Sequence, residues 1–166
     1  MKILVVTSSR HGATDEVGDR IVDVLRSAGH LSRRVAPSST VSLDGVDAVV
    51  VGSAVYMTQW MESMRAFVTG RADVLRALPV WVFSVGLAGV PHGEVQDPMR
   101  AARFISALDP IDYRTFRGRL DPSLLGLRER SVIRMAGGME GDYREWDKIE
   151  AFAGEIAAQL TEHAGA

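Results

Sequence analysis

The chain has 166 residues, 46% of them hydrophobic and 24% charged, with a formal net charge of −2 and no cysteine. That balance predicts one soluble globular domain with a substantial core, and it gives no global field that would draw the chain to nucleic acid. It excludes disulfides, thiolate-held iron–sulfur clusters and a cysteine nucleophile.

In chain order, Lys2-Ile3-Leu4-Val5-Val6 reads as a strand buried on both faces. It releases into Thr7-Ser8-Ser9-Arg10-His11-Gly12-Ala13-Thr14, after which helical periodicity takes over through Val17, Ile21, Val24, Leu25 and Ala28, with Gly29 ending the helix. Leu31, Arg33 and Val35 alternate like a short strand near a sheet edge, and Pro37-Ser38-Ser39 is loop. Asp47 to Gly52 reads as a second buried strand running out into a loop, Ser53 to Trp60; Met61, Met64, Phe67 and Val68 then recur at helical spacing. Pro79 opens a third buried strand, Val80 to Val85, released into a glycine-rich loop from Ser84 to Gly93. Met99, Ala102, Ile105 and Ala107, after Pro98, suggest a further helix. Ile111 to Phe116 reads as the last strand, and Trp146, Ile149, Phe152, Ala153, Ile156, Ala157 and Leu160 form the apolar stripe of a closing helix.

Strand and helix alternate, which predicts an α/β fold with a parallel sheet and helices on both faces. Ligands of such sheets sit outside the carboxyl ends of the strands, at the switch point, so the three loops that leave those ends make one candidate site. A strand that turns through hydroxyls and one glycine into a helix converges backbone N–H groups and a helix dipole on one point, which suits an anion. The loop lacks the Walker Gly-Lys-Ser/Thr and the three spaced glycines of the dinucleotide fingerprint. Ser8, Ser9 and Thr14 can offer hydroxyls while the amides of Arg10 to Thr14 converge; a side chain at Gly12 would collide with the bound group. Arg10 either adds its charge or points to solvent, and Thr14 alternatively serves only as helix N-cap. Tyr56, Met57 and Trp60 offer a surface for a flat ring, unless Trp60 packs into the core with Met64. Gly86 and Gly89 let backbone approach a ligand edge. A phosphate at one end and a planar ring at the other describe flavin mononucleotide (FMN). The four histidines, His11, His30, His92 and His163, have no metal-ligand spacing, so no metal is expected. His11, His92 and Tyr56 lie on site loops, but no side chain is marked as a catalytic acid or base.

With these residues in view, the chain resembles the flavodoxin superfamily over nearly its whole length. Ser8-Ser9-Arg10-His11-Gly12-Ala13-Thr14 is similar to the Ser-Thr-Arg-x-Gly-x-Thr phosphate loop of the flavodoxin-type, menaquinone-dependent protoporphyrinogen dehydrogenases. Arg134-Met135-Ala136-Gly137-Gly138, followed by Asp142, Tyr143 and Trp146-Asp147, resembles their stretch before the last helix. The resemblance implies a single flavodoxin-like domain over 1–166, a three-layer sandwich around a five-stranded parallel sheet. It implies phosphate contacts at Ser9, Arg10, His11, Gly12, Ala13 and Thr14, and flavin-ring contacts at Ala54, Val55, Tyr56 and Met57 and at Ser84, Val85, Gly86 and Leu87. It departs from common flavodoxins in having Ala54 near the place of a hydroxyl residue, and only Leu87 and Val90 where an aromatic often stands.

An inserted segment at about 118–142 is long for a connection and mixes leucines with arginines. Arg114, Arg117, Arg119, Arg128, Arg130 and Arg134 stand against Asp121 and Glu129. Either Leu124, Leu125, Leu127 and Val132 are ordinary core beneath solvated arginines, or the insert is a basic, partly apolar flap that meets anionic lipid or admits a quinone or porphyrin. It lies outside the three loops assigned to FMN. The expectation is an FMN-dependent oxidoreductase that moves electrons between a reduced donor and a quinone- or porphyrin-like acceptor. The alternative is an electron carrier between partner proteins. No apolar run approaches the roughly 18 residues of a spanning helix. Met1-Lys2-Ile3 runs straight into structure without a cleavage site, so the expected location is cytoplasmic, with peripheral membrane contact through the insert as the further option.

Overall fold

In the computed structural model, which describes residues 1–56, 58–86, 100–135 and 137–164, eight strands and five α-helices follow one another. In chain order they are β1 (Lys2–Ser8), α1 (Ala13–Ser27), β2 (Leu31–Val35), β3 (Ala48–Tyr56), β4 (Gln59–Trp60), α2 (Glu62–Arg76) and β5 (Val80–Gly86). After these come α3 (Ala102–Leu108), β6 (Asp112–Arg117), β7 (Arg119–Leu120), α4 (Leu127–Met135), β8 (Gly141–Asp142) and α5 (Trp146–Ala164). Met57, Leu87, Gly89, Val90, His92, Pro98 and Met99 lie outside the described residues.

The β-branched run of β1 sits at the middle of a parallel sheet because it has an apolar layer on each side. The strand order is β2-β1-β3-β5-β6, with β4 added antiparallel to β3. Successive side chains of a strand point to opposite faces. Thus Val5 and Val50 join Val17, Ile21 and Leu25 of α1 and Ile149, Phe152 and Ile156 of α5 on one face. Leu4, Val6, Val49 and Val51 pack on the other face against Met64, Phe67 and Val68 of α2 and Phe104 and Leu108 of α3. From β1 the chain crosses first to β2 and then back past itself to β3, so the order reverses between β1 and β3. Ser8 and Ser53 lie side by side at that reversal, where the crevice for a ligand forms.

Phe83 of β5 lies in register beside Gly52 of β3. A Cβ built on Gly52 would stand 2.1–2.6 Å from three atoms of that ring. Gly52, which reads in sequence as a strand terminus, is therefore the floor on which a core aromatic rests. The ring continues into Phe116 at 6.0 Å and from there into Phe152 at 5.8 Å between centroids.

The loop expected from Ser53 to Trp60 is corrected. β3 continues to Tyr56 and folds back as β4, with Thr58 at φ 63° in the turn. Trp60 is buried, and its indole N–H donates to Ser84 Oγ at 2.8 Å. Tyr113 donates to the same Ser84 oxygen at 3.1 Å, and Thr115 donates to Tyr113 at 3.0 Å. A buried hydroxyl with several partners is a fixed structural joint.

The inserted segment has its own small architecture. β7 and β8 pair antiparallel, and a single 3₁₀ turn (Pro122–Leu124) leads to α4. Asp121 opens that turn by accepting from the Ser123 amide at 2.9 Å and its hydroxyl at 2.6 Å. The option that the leucines of the insert are ordinary core fails: α4 has no buried residue, and Leu127 is 82% exposed. Leu120 of β7 is buried.

Candidate functional site

A cavity of about 350 Å³ opens at the carboxyl ends of β1, β3 and β5. The first loop supplies Ser9, Arg10, His11, Ala13 and Thr14, β3 supplies Ala54, Val55 and Tyr56, and β5 supplies Val85 and Gly86. Among the described residues expected at the site, Ser8, Gly12, Trp60 and Ser84 do not line it. Ser84 is fully buried in the Trp60–Tyr113 joint, one residue short of the wall. Gly12 is set back as the residue before α1, at φ 84°. The nearest atom to a Cβ at Gly12 would be Glu16 Oε1, 4.0 Å away. The left-handed backbone, a conformation that side chains resist, by itself calls for glycine there.

The loop closes on itself. The Glu16 amide makes the first helical bond to Gly12 O at 3.0 Å, and Ser9 Oγ accepts the Thr14 amide at 3.3 Å. Ser9 thus satisfies one of the orphan donors of α1, and Thr14 stands inside the first turn instead of capping it. Ser8 is used elsewhere: its hydroxyl pairs with Ser63 of α2 at 2.7 Å, which ties the loop to the other face.

The insert forms the far wall of the same cavity, through Leu120, Leu124, Leu125, Glu129, Val132 and Ile133. It lies outside the three loops in sequence and shares their cavity. Glu129 and Ile133 stand four residues apart on one face of α4, and Leu125 precedes the helix in extended backbone. Arg10 meets this wall. Its guanidinium lies 4.4 Å over the Tyr56 ring and grips Glu129 Oε1 from Nε at 2.6 Å and Nη2 at 2.5 Å. Glu129 Oε2 accepts the Gly126 amide at 3.0 Å, capping α4. That amide bond, helped by Arg10 and opposed by partial burial, holds the Glu129 carboxyl below its ordinary range. His11 Nε2 lies 3.8 Å from Glu129 Oε1, the oxygen that Arg10 holds.

The base of the insert is fixed by Arg144, whose side chain is 4% exposed. Its Nε and Nη2 clasp the two oxygens of Asp142 at 2.8 and 2.6 Å, and Nη1 reaches Glu16 Oε2 at 2.6 Å. The guanidinium stacks 4.5 Å from the Trp146 ring, and Arg119 adds a second cation on Glu16 at 3.0 Å. The Arg144 hydrogen bonds hold Asp142 below its usual pKa against opposing burial. At Glu16 burial pushes the carboxyl up, but Arg144 and Arg119 together outweigh it. Carboxyls lowered in the folded state contribute stability above their unfolded pKa values, about 4. They lose it as pH falls through the folded values. Urea midpoints should therefore change little from pH 7 to 5 and drop below pH 4, and the drop should be smaller in Arg144→Met.

Residues 4–147 match the family model described as Flavodoxin domain. The chain belongs to the flavodoxin-domain family. Protoporphyrinogen IX dehydrogenase [quinone] of Escherichia coli K12 is a relative with 25% identity over 95% of each chain. A cysteine mutant of flavodoxin from Pseudomonas aeruginosa superposes with a TM-score of 0.62 at 18% identity, over 97% of this chain and 99% of that one. Rubredoxin oxygen:oxidoreductase of Desulfovibrio gigas superposes with a TM-score of 0.68 at 11% identity, over 99% of this chain and 37% of that one. The flavodoxin-like α/β fold, a parallel sheet flanked by helices, is thereby established for this member of the family. Among the described residues, no helix is long and apolar enough to cross a membrane, and no cluster of metal-ligating side chains occurs.

Proposed function

We propose that the protein is an FMN-dependent oxidoreductase that passes electrons from a reduced donor to a quinone- or porphyrin-like acceptor. The observation that carries this reading is a single cavity with a polar anion loop at one end and an apolar roof donated by the insert. Its volume falls in the range of small-molecule sites. The residues fit the cofactor. The left-handed Gly12 aims the start of α1 at the cavity, where Ser9 and Thr14 offer hydroxyls to a phosphate. Val55, Tyr56, Val85 and Gly86 give a mostly apolar wall for a ring. A bound flavin supplies the one- and two-electron chemistry; the chain holds, orients and shields it. Leu124, Leu125 and Ile133 keep water from the ring side and leave an apolar approach for the acceptor. The name of the E. coli relative, a quinone-linked dehydrogenase, supports a quinone as acceptor.

Heat-released cofactor should chromatograph as FMN, and the reduced protein should be reoxidised by a menaquinone analogue with quinol formed in proportion. Recovery of FAD, or of no flavin after FMN is added, defeats the cofactor assignment. FMN binding without quinone turnover favours the alternative, an electron carrier between partner proteins. Thr14→Ala should weaken FMN binding roughly ten- to a hundredfold, because a hydroxyl donated to a charged oxygen contributes about 1.5–3 kcal/mol. Flavin titration beside thermal melts of the variant checks this.

A further inference from the structure

We propose that α4 is an interfacial helix that seats the protein on an anionic lipid surface. The helix has two faces with different tasks. Glu129 and Ile133 look into the cavity, and Glu129 is held there by Arg10. The opposite stripe carries Leu127, Ser131 and Met135, four residues apart, with Arg128 beside it and Val132 and Arg134 at its margins. Leu127 is 82% exposed, Met135 85% and Val132 55%, and Met139 beyond the helix is also exposed. Large apolar side chains this open, gathered on one helix, mark an interaction surface.

Charge selects the occupant. α4 holds Arg128, Arg130 and Arg134 against a single acid, and that acid is turned inward and neutralised by Arg10. Arg130 is committed to Leu125 O at 3.2 Å, whereas Arg128 and Arg134 have no hydrogen-bond or ion-pair partner among the described residues. An outward face of leucine and methionine edged by arginines, on a chain of net charge −2, matches a bilayer whose headgroups are anionic and whose interior is apolar. The same helix roofs the cavity, so this seating turns the roof toward the lipid.

The test uses the full chain and sucrose-loaded vesicles, with no flavin readout, so it stands or falls apart from the oxidoreductase reading. The parent should sediment with vesicles containing phosphatidylglycerol, more weakly at high salt, and little with pure phosphatidylcholine. Arg128→Gln with Arg134→Gln should lower the partition coefficient about thirtyfold. Leu127→Asp with Met135→Asp should abolish binding, with thermal melts like the parent because these positions are open to solvent. The absence of cysteine permits a second readout. Met135→Cys carrying an environment-sensitive dye should shift to the blue on phosphatidylglycerol vesicles, while Val74→Cys, on the exposed side of α2, should not. A parent that does not bind the anionic vesicles overturns the proposal. So do variants that bind like the parent, or a dimer in vesicle-free solution that the Asp variant abolishes without any vesicle binding by the parent.

Discussion

Gly52→Ala is expected to lower the free energy of unfolding by about 3 kcal/mol, at the upper end of what overpacking a core normally costs. The new methyl would sit 2.1 Å from Phe83 Cζ, well inside contact distance. The ring cannot retreat easily, because it is fully buried and backed by Phe116 and Phe152. For a chain of this length the loss corresponds to a fall in Tm of about 6–12 °C. Combining it with Phe83→Leu should recover part of the loss, since the shorter side chain vacates the space the methyl needs. The double-mutant coupling, read from urea unfolding, identifies Phe83 as the partner. Additive effects would show that the strain arises elsewhere.

Arg144→Ala should have the second-largest effect, about 2–3 kcal/mol. Removing one member of a buried ion pair typically costs about 3–5 kcal/mol. Here Asp142 and Glu16 keep 41% and 45% of their side-chain surface in water, so solvent relieves part of the loss. The damage should be local. Arg144 joins β8 to the first turn of α1, so amide exchange should quicken across residues 119–142 while the amides of β1, β3 and β5 keep their protection. Arg144→Lys should not restore the anchor, because one ammonium cannot clasp both Asp142 oxygens, reach Glu16 and stack on Trp146.

Much of the fold was legible because it is written in short-range periodicity. Val5 and Val6 in β1, Val80 to Val85 in β5 and the Ile149–Leu160 stripe of α5 each announce their element and buried face. The features that the sequence hid depend on partners far along the chain. Gly52 resembles a strand end until Phe83 is laid beside it. Ser84 resembles a ligand contact until Trp60 and Tyr113 both bind it. Trp60 reads as either ring platform or core, and the β3–β4 hairpin decides for the core. In the insert, leucines at helical spacing read equally as core and as open surface, because composition does not say whether a second layer exists to cover them. The first-loop and β3 walls of the cavity were readable from residue type and place. The α4 wall was not, since Glu129 acts there through Arg10, on an element more than a hundred residues earlier.

The grip of Arg10 on Glu129 changes what arrival of an anion at this loop means. The guanidinium already has an internal counter-ion, and its flat face already rests on Tyr56. An incoming phosphate or carboxylate that recruits Arg10 does so by exchange, releasing one carboxylate as it gains a cation. The net affinity from that residue is then the small difference between two similar ion pairs, not the whole of one. At the proposed anion site, specificity would fall instead to the fixed dipoles of the loop backbone, which among the described residues bind no carboxylate.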